Sequence, residues 1–189
     1  MNISAAEQLL TAEEYLELEK HSETRHEYYF GKLLPMPGES LNSNEIVQNW
    51  IEKLRRVLRE KGYRTFAEDI KVMTAPKGVY RYPDFVVAKA KDCNDPYVID
   101  KPVFLVEVAS KDSYDRDRFD KFREYTSLPT LQHYLIVHSE KMVVEFFSRR
   151  DDASWDIQIF IQPEEKVTLP MFDTSMTLAE IYEFVEFTS

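Results

Sequence analysis

The eight residues Pro102–Ala109, PVFLVEVA, constrain this chain more than any other stretch. Val103, Phe104, Leu105, Val106 and Val108 leave no polar face, so the strand they form must be central in its sheet and covered on both sides. Glu107 interrupts that run. A carboxylate buried in an apolar strand is costly unless something positive or hydrogen-bonding faces it. Upstream, Tyr82–Ala88 (YPDFVVA) reads as a second strand, with Asp84 followed by Phe85, Val86 and Val87. The loop between the strands, Lys89–Lys101, is rich in Asp, Asn and Pro and long enough to set the two carboxylates side by side. A shared divalent cation is the least costly way to keep both ionised. Such an ion, Mg²⁺ or Mn²⁺, lowers the pKa of an attacking water and neutralises charge at phosphorus, so the pair points to phosphodiester hydrolysis.

The remaining elements follow from periodicity and caps. Thr11–Lys20 reads as a short helix, with Thr11 and Glu14 as a capping box and Tyr15, Leu16 and Leu18 as its apolar face. Arg25–Pro37 reads as two strands around a Gly31-Lys32 turn. Glu27 precedes the aromatic trio Tyr28, Tyr29 and Phe30, a position equally suited to an exposed residue at a strand start. Leu41–Gly62 is a long helix with Ile46, Trp50, Leu54, Val57 and Leu58 on one stripe, ended by Gly62. Short strands follow at Tyr63–Phe66 and Ile70–Met73, with a loop at Ala75–Val79. A helix over Asp115–Ser127 carries Phe119, Phe122 and Tyr125 toward the core. Strands at Leu131–Val137 and Met142–Ser148 pair as a hairpin. Asp156–Ile161 and Lys166–Leu169 are expected as edge strands, and Thr177–Phe184 as a closing helix. With residues 1–10 as a lead-in, the alternation predicts α/β architecture with a mixed sheet in a single domain over residues 1–189.

Composition limits the functions. The formal charge of −10 argues against a protein that coats duplex DNA by bulk electrostatics. A local basic run survives on the long helix, Lys53, Arg55, Arg56, Arg59 and Lys61. It reads either as a solvated face or as a phosphate-contacting surface in which Lys53, Arg56 and Arg59 take part. The single cysteine, Cys93, has no disulfide or zinc partner. With no apolar run long enough to cross a bilayer and no leader pattern, a cytoplasmic location is expected.

Two lysines compete as the cationic partner of Glu107. Strand alternation places Ala109 on the Glu107 side, where its small size leaves space, and carries on to Lys111. Lys121 lies on the next helix. Either could orient water or stabilise charge on phosphate.

The segments PDFVV, LVEVAS, DRFDKFREY and LQHYLIV, in that order, resemble the Uma-type restriction endonucleases within the PD-(D/E)XK nuclease superfamily, once catalogued as a domain of unknown function. The resemblance runs from LTAEEYLELE through YYFGKLLPMPG to LAEIYEFV. It implies a restriction-endonuclease-like fold, a central mixed sheet flanked by helices, and Mg²⁺-dependent cleavage of DNA. It casts Asp84, Glu107 and Glu27 as acidic residues holding metal; strand alternation adds the backbone carbonyl of Ala109 as a further expected ligand. The superfamily lysine is expected at 109, where this chain has alanine; Lys121 would be its migrated replacement. KDSY departs from the family's proline-serine-threonine turn and keeps Lys111 as the alternative. Cutting both strands would suit a homodimer, with two sites related by a two-fold axis. The competing reading is a nuclease fold that has lost catalysis and serves as a binding protein, with Asp84 and Glu107 paired to basic residues such as Arg81, Arg116 or Arg118.

Overall fold

The computed structural model describes residues 9–187; residues 1–8 of the expected lead-in lie outside the described residues. Helix α1 (Ala12–His21) starts at the Thr11 cap: Thr11 Oγ accepts from the Glu14 N–H at 3.2 Å, and the Thr11 N–H donates to the Glu14 carboxylate at 2.8 Å. Its buried stripe is Ala12, Tyr15 and Glu19, whereas Leu18, expected on the apolar face, is exposed.

Strands β1 (His26–Tyr29) and β2 (Lys32–Pro35) form the expected hairpin. Tyr29 pairs with Lys32, so the turn is Phe30-Gly31, one residue earlier than expected. Both have positive φ, 42° and 97°, which suits the twist of a two-residue hairpin. A Cβ added at Gly31 would meet the Leu9 Cβ at 2.8 Å. Gly31→Ala is expected to cost about 1–2 kcal/mol, the usual penalty for a side chain in this region, visible as a lower midpoint in urea denaturation.

Ser40 caps the long helix α2 (Leu41–Glu60), accepting from the Ser43 N–H at 3.1 Å. Ile46, Val47, Trp50, Leu54 and Leu58 are buried along one stripe, and Gly62 leaves the helix with φ of 81°. Strands β3 (Tyr63–Ala67), β4 (Lys71–Ala75), β5 (Val79–Arg81), β6 (Phe85–Lys89), β7 (Val98–Ile99) and β8 (Pro102–Ala109) follow. A π-helical stretch, Arg116–Lys121, runs into α3 (Phe122–Thr126). The chain ends through β9 (His133–His138), β10 (Val144–Arg149), β11 (Trp155–Phe160), β12 (Lys166–Leu169), β13 (Thr174–Thr177) and the short α4 (Leu178–Ile181).

The main sheet runs β11-β10-β9-β8-β6-β3, and a smaller sheet runs β2-β1-β5-β4-β7. Strand β8 is buried at every position, antiparallel to β6 and parallel to β9, the central placement its sequence demands. Helix α2 covers one face of β8, with Trp50 against Phe104 at 5.7 Å and Phe85, Val106 and Val108 beside them. The other face carries Leu105, Ala109, Tyr134 and Ile136 beneath Tyr125 and Leu128.

Three expectations are corrected. The strand expected over Tyr82–Ala88 begins only at Phe85, as β6; Tyr82-Pro83-Asp84 instead connect it to β5 in the other sheet. Pro83 has no N–H to give a ladder, so the chain changes sheets there and Asp84 sits at the seam, not mid-strand. Lys166–Leu169 pairs with β13 in its own two-stranded sheet instead of edging the main one. Phe119, expected in the core, is 64% exposed. The Phe122 N–H reaches back five residues to the Asp117 carbonyl. That wider turn takes Phe119 off the stripe that Phe122 and Tyr125 keep.

Candidate functional site

Four elements meet beside the seam. Strand β1 brings Glu27, the β5–β6 crossing brings Asp84, β8 brings Glu107, and the π-helical stretch brings Lys121. All four are buried and line one cavity of about 200 Å³, together with Ser40, Ser43, Arg116 and Asp117. Lys121 Nζ donates to Glu107 Oε2 at 2.8 Å and lies 3.0 Å from Asp117 Oδ1 and 3.5 Å from Glu27 Oε1. The Tyr125 hydroxyl donates to the other Glu107 oxygen at 2.6 Å. Tyr125 is fixed by its ring contact with Tyr134 at 5.3 Å, so core packing sets the orientation of Glu107. Arg81 donates to Glu27 at 2.8 Å and forks onto both oxygens of Glu124 at 2.8 and 2.7 Å.

Asp84 is placed differently. One oxygen accepts the Val108 N–H, and no ammonium or guanidinium of the described residues pairs with it within ion-pair distance. The N–H and C=O of one strand residue point the same way. The register Phe85↔Val106 puts Pro83 opposite Val108. Pro83 has no N–H, so that register offers the Val108 carbonyl no ladder donor, and Val108 lines the cavity. The Ala109 carbonyl, the expected ligand, points the other way and accepts from the Ser139 N–H at 3.0 Å.

Burial holds the Asp84 carboxyl well above its ordinary range, with Glu107 and Glu39 adding to the effect. Burial also pushes Glu107 up, to about 7, against the opposing pull of Lys121. For Lys121 burial favours the neutral amine, but Glu107, Glu27 and Asp117 outweigh it and hold the ammonium well above its ordinary value. Burial opposes ionisation of Glu27, yet Lys121, Arg81 and Arg116 carry it below the usual carboxylate range.

The deeply buried groups of the site are four carboxylates (Glu27, Asp84, Glu107 and Asp117) against two cations (Arg81 and Lys121), and Arg81 is shared with Glu124, so acidic groups outnumber basic ones. Asp117 Oδ1 is buried and accepts no hydrogen bond, despite its closeness to Lys121. Among the described residues no three carboxylate, histidine or cysteine side chains already converge on one point. Mg²⁺ commonly takes only one or two carboxylates and keeps waters for the rest. Asp84, Glu107 and the Val108 carbonyl fit that pattern. Glu27 is instead engaged by Arg81 and Lys121.

The other candidates lie elsewhere. Lys111 is exposed and borders a different cavity with Ala109, Tyr114 and His138. Lys53 pairs with Glu180 at 2.5 Å, and Arg56 with Glu60 at 3.7 Å. Arg56 stands sixteen residues along α2 from Ser40, roughly 24 Å at the helical rise, so the basic run is at the helix end remote from the cavity. Sequence reasoning did not assign Asp117, Tyr125 and Val108 to the site. The spacing of Asp117 four residues before Lys121 is a signal that both share a face.

A mixed sheet with helices on both faces, and acidic groups from β1, the β5–β6 crossing and β8 gathered beside it, is a restriction-endonuclease-like fold. The crystal structure of a putative nuclease from Anabaena variabilis shares it, with a TM-score of 0.77 at 15% identity, covering 94% of this chain and 99% of that one. The chain belongs to the Uma2 family, described as "Putative restriction endonuclease", which matches residues 12–179. Two uncharacterized proteins of Synechocystis are also similar. One, sll1609, is 30% identical over 82% of this chain and 89% of its own length; the other, slr1290, is 29% identical over 94% of each.

Proposed function

We propose that this chain is a Mg²⁺- or Mn²⁺-dependent endonuclease that hydrolyses phosphodiester bonds in DNA. The observation that carries the reading is Asp84: a buried carboxylate beside Glu107 with no cationic partner among the described residues, in a cavity whose lining carboxylates outnumber its cations. Asp84, Glu107 and the Val108 carbonyl would hold the ion. When bound, the ion would supply positive charge to the phosphate and lower the pKa of a water.

The chain's own groups divide the remaining work. The Val108 N–H orients Asp84, and Tyr125 and Lys121 orient Glu107. Lys121 keeps its proton and therefore is not the general base; its ammonium stabilises negative charge as it builds on the phosphoryl oxygens. Glu107 would serve the ion as a ligand, and the proton of an attacking water would pass to solvent as the P–O bond to the leaving oxygen breaks. Glu27 and Asp117 flank Lys121 and hold it in place. The whole chain, 1–189, acts as one nuclease domain in this reading. A cytoplasmic location is proposed with it; among the described residues no helix is long and apolar enough to cross a membrane. A homodimer is proposed for double-strand cleavage, and sedimentation with and without a DNA duplex tests it.

The experiment is calorimetric titration of Mn²⁺ into wild type and Glu107→Ala, followed by cleavage assays on DNA. Saturable binding to wild type that drops at least tenfold in the variant is expected. Equal binding by both proteins sinks the assignment. A second reading, a binding protein on an inactive nuclease fold, draws on the ion pair between Glu107 and Lys121. It requires that wild type bind neither Mn²⁺ nor Mg²⁺, with or without DNA.

A further inference from the structure

Every other basic residue around the cavity is spoken for. Arg81 serves Glu27 and Glu124, Lys121 serves Glu107 and Asp117, and Arg118 pairs with Glu145 at 2.9 Å. Arg116 lines the cavity and makes no ion pair or side-chain hydrogen bond with any described residue. Its Nε is buried and donates to nothing. A buried N–H with no acceptor carries a desolvation cost, and a guanidinium is costlier to leave bare than an amide. Five carboxylates, Glu27, Glu39, Asp84, Glu107 and Asp117, line the same cavity, yet none lies within ion-pair distance of it. The guanidinium is therefore held away from them with one buried donor free.

A planar fork of N–H donors matches the paired oxygens of a phosphate. The first turn of α2 borders the same cavity and carries no acidic side chain; Glu39, just before the Ser40 cap, is the acidic residue on that wall. We propose that Arg116 contacts a non-bridging oxygen of the substrate's phosphodiester backbone and so positions that backbone against Asp84 and Glu107. This rests on the nuclease reading for its substrate class and extends it to a residue outside the acidic set. Its position in the π-helical stretch, five residues before Lys121, ties the phosphate contact and the ammonium to one rigid turn.

The test uses the full chain as wild type, Arg116→Ala and Arg116→Lys. Cleavage of a labelled oligonucleotide in Mn²⁺ is measured beside Mn²⁺ titration and thermal melting. Oligonucleotide affinity is measured against salt in an Asp84→Asn background. Arg116→Ala is expected to lower kcat/KM by roughly 10- to 100-fold, the usual effect of losing one charge-assisted hydrogen bond. Mn²⁺ binding should be retained, and Arg116→Lys should recover part of the loss. The slope of log Kd against log salt should fall by about one, as for one lost phosphate contact. Cleavage within twofold of wild type and an unchanged slope overturns the Arg116 contact and leaves the nuclease reading standing. Loss of Mn²⁺ binding in Arg116→Ala also overturns it, since the residue then acts through the carboxylates. The expected slope change without cleavage in any divalent ion keeps the contact and removes the nuclease reading. Failure of the Asp84→Asn protein and wild type to bind any oligonucleotide removes both.

Discussion

Asp84→Asn is expected to melt higher than wild type at pH 8 without divalent ions, and at the same temperature as wild type near pH 4. The reason is the direction of the Asp84 shift. Burial, then Glu107 and Glu39, holds its folded-state carboxyl well above the ordinary 3.8. The folded chain therefore binds this proton more tightly than the unfolded chain. Stability falls as pH rises from the unfolded value until the folded carboxyl ionises, and is flat beyond. Asparagine keeps an oxygen for the Val108 N–H and removes the charge. Relief of one uncompensated buried group is typically worth about 1–3 kcal/mol, or roughly 2–12 °C at about 2–4 °C per kcal/mol for a chain of this length. Mn²⁺ should raise the wild-type midpoint at pH 8, where Asp84 and Glu107 can ionise to meet it, and should raise that of Asp84→Asn far less. DNA cleavage should be lost in the variant. Calorimetric melting at both pH values decides the matter; a variant that melts at or below wild type at pH 8 shows that Asp84 is compensated by something else.

Lys121→Met should be the most destabilising single change at the site. It strips the cation from Glu107, Asp117 and Glu27 together, all of them buried. Breaking a buried pair by removing one partner costs about 3–5 kcal/mol, so the midpoint should fall by roughly 6–20 °C at pH 8. The lysine's own titration adds no slope in the neutral range. Its folded pKa lies above 10.5, so its contribution is complete below that value and is lost only as pH rises through the folded one. The carboxylates supply the slope. Glu107, already raised to about 7, goes higher once Lys121 is gone, so the loss should shrink between pH 8 and pH 5 as it takes a proton. Adding Glu107→Gln to Lys121→Met should restore part of the stability, and the double-mutant cycle reads the coupling directly. Additive losses would mean that Glu107 and Lys121 are not an energetic unit.

Much of this arrangement was legible before the fold. The apolar run at Pro102–Ala109 demanded a central strand, and β8 is one. The Thr11–Glu14 box gave the start of α1 because a cap is a local interaction. Asp84, Glu107, Lys121 and Glu27 were named in advance and line one cavity. The remainder depended on partners far along the chain. Whether Val108 or Ala109 turns its carbonyl to the cavity is set by which neighbour each faces, β6 or β9, and no property of an eight-residue run states that. Arg81, named as a partner for Asp84 or Glu107 in the competing reading, meets Glu27 instead because β1 pairs with β5. Pro83 was the one local sign that the strand could not begin at Tyr82. The wider winding at Arg116–Lys121 leaves the apolar spacing almost intact, so Phe119 was placed with Phe122 when only Phe122 and Tyr125 pack inward.

That winding has a consequence for how such chains can diverge. Lys121 meets Glu107 only because the stretch between them has one particular length. An α-helical turn holds 3.6 residues, and the π-helical turn here, closed by the Phe122 N–H on the Asp117 carbonyl, holds more. A one-residue deletion within Arg116–Lys121 would replace that wide turn by an ordinary one and shift Lys121 relative to Asp117 while leaving the strand motif intact. Substitutions can accumulate freely on the exposed side of that segment, but its residue count cannot drift. In relatives that keep a lysine here, the interval from the strand glutamate should be free of insertions and deletions, even where the surrounding loops vary in length.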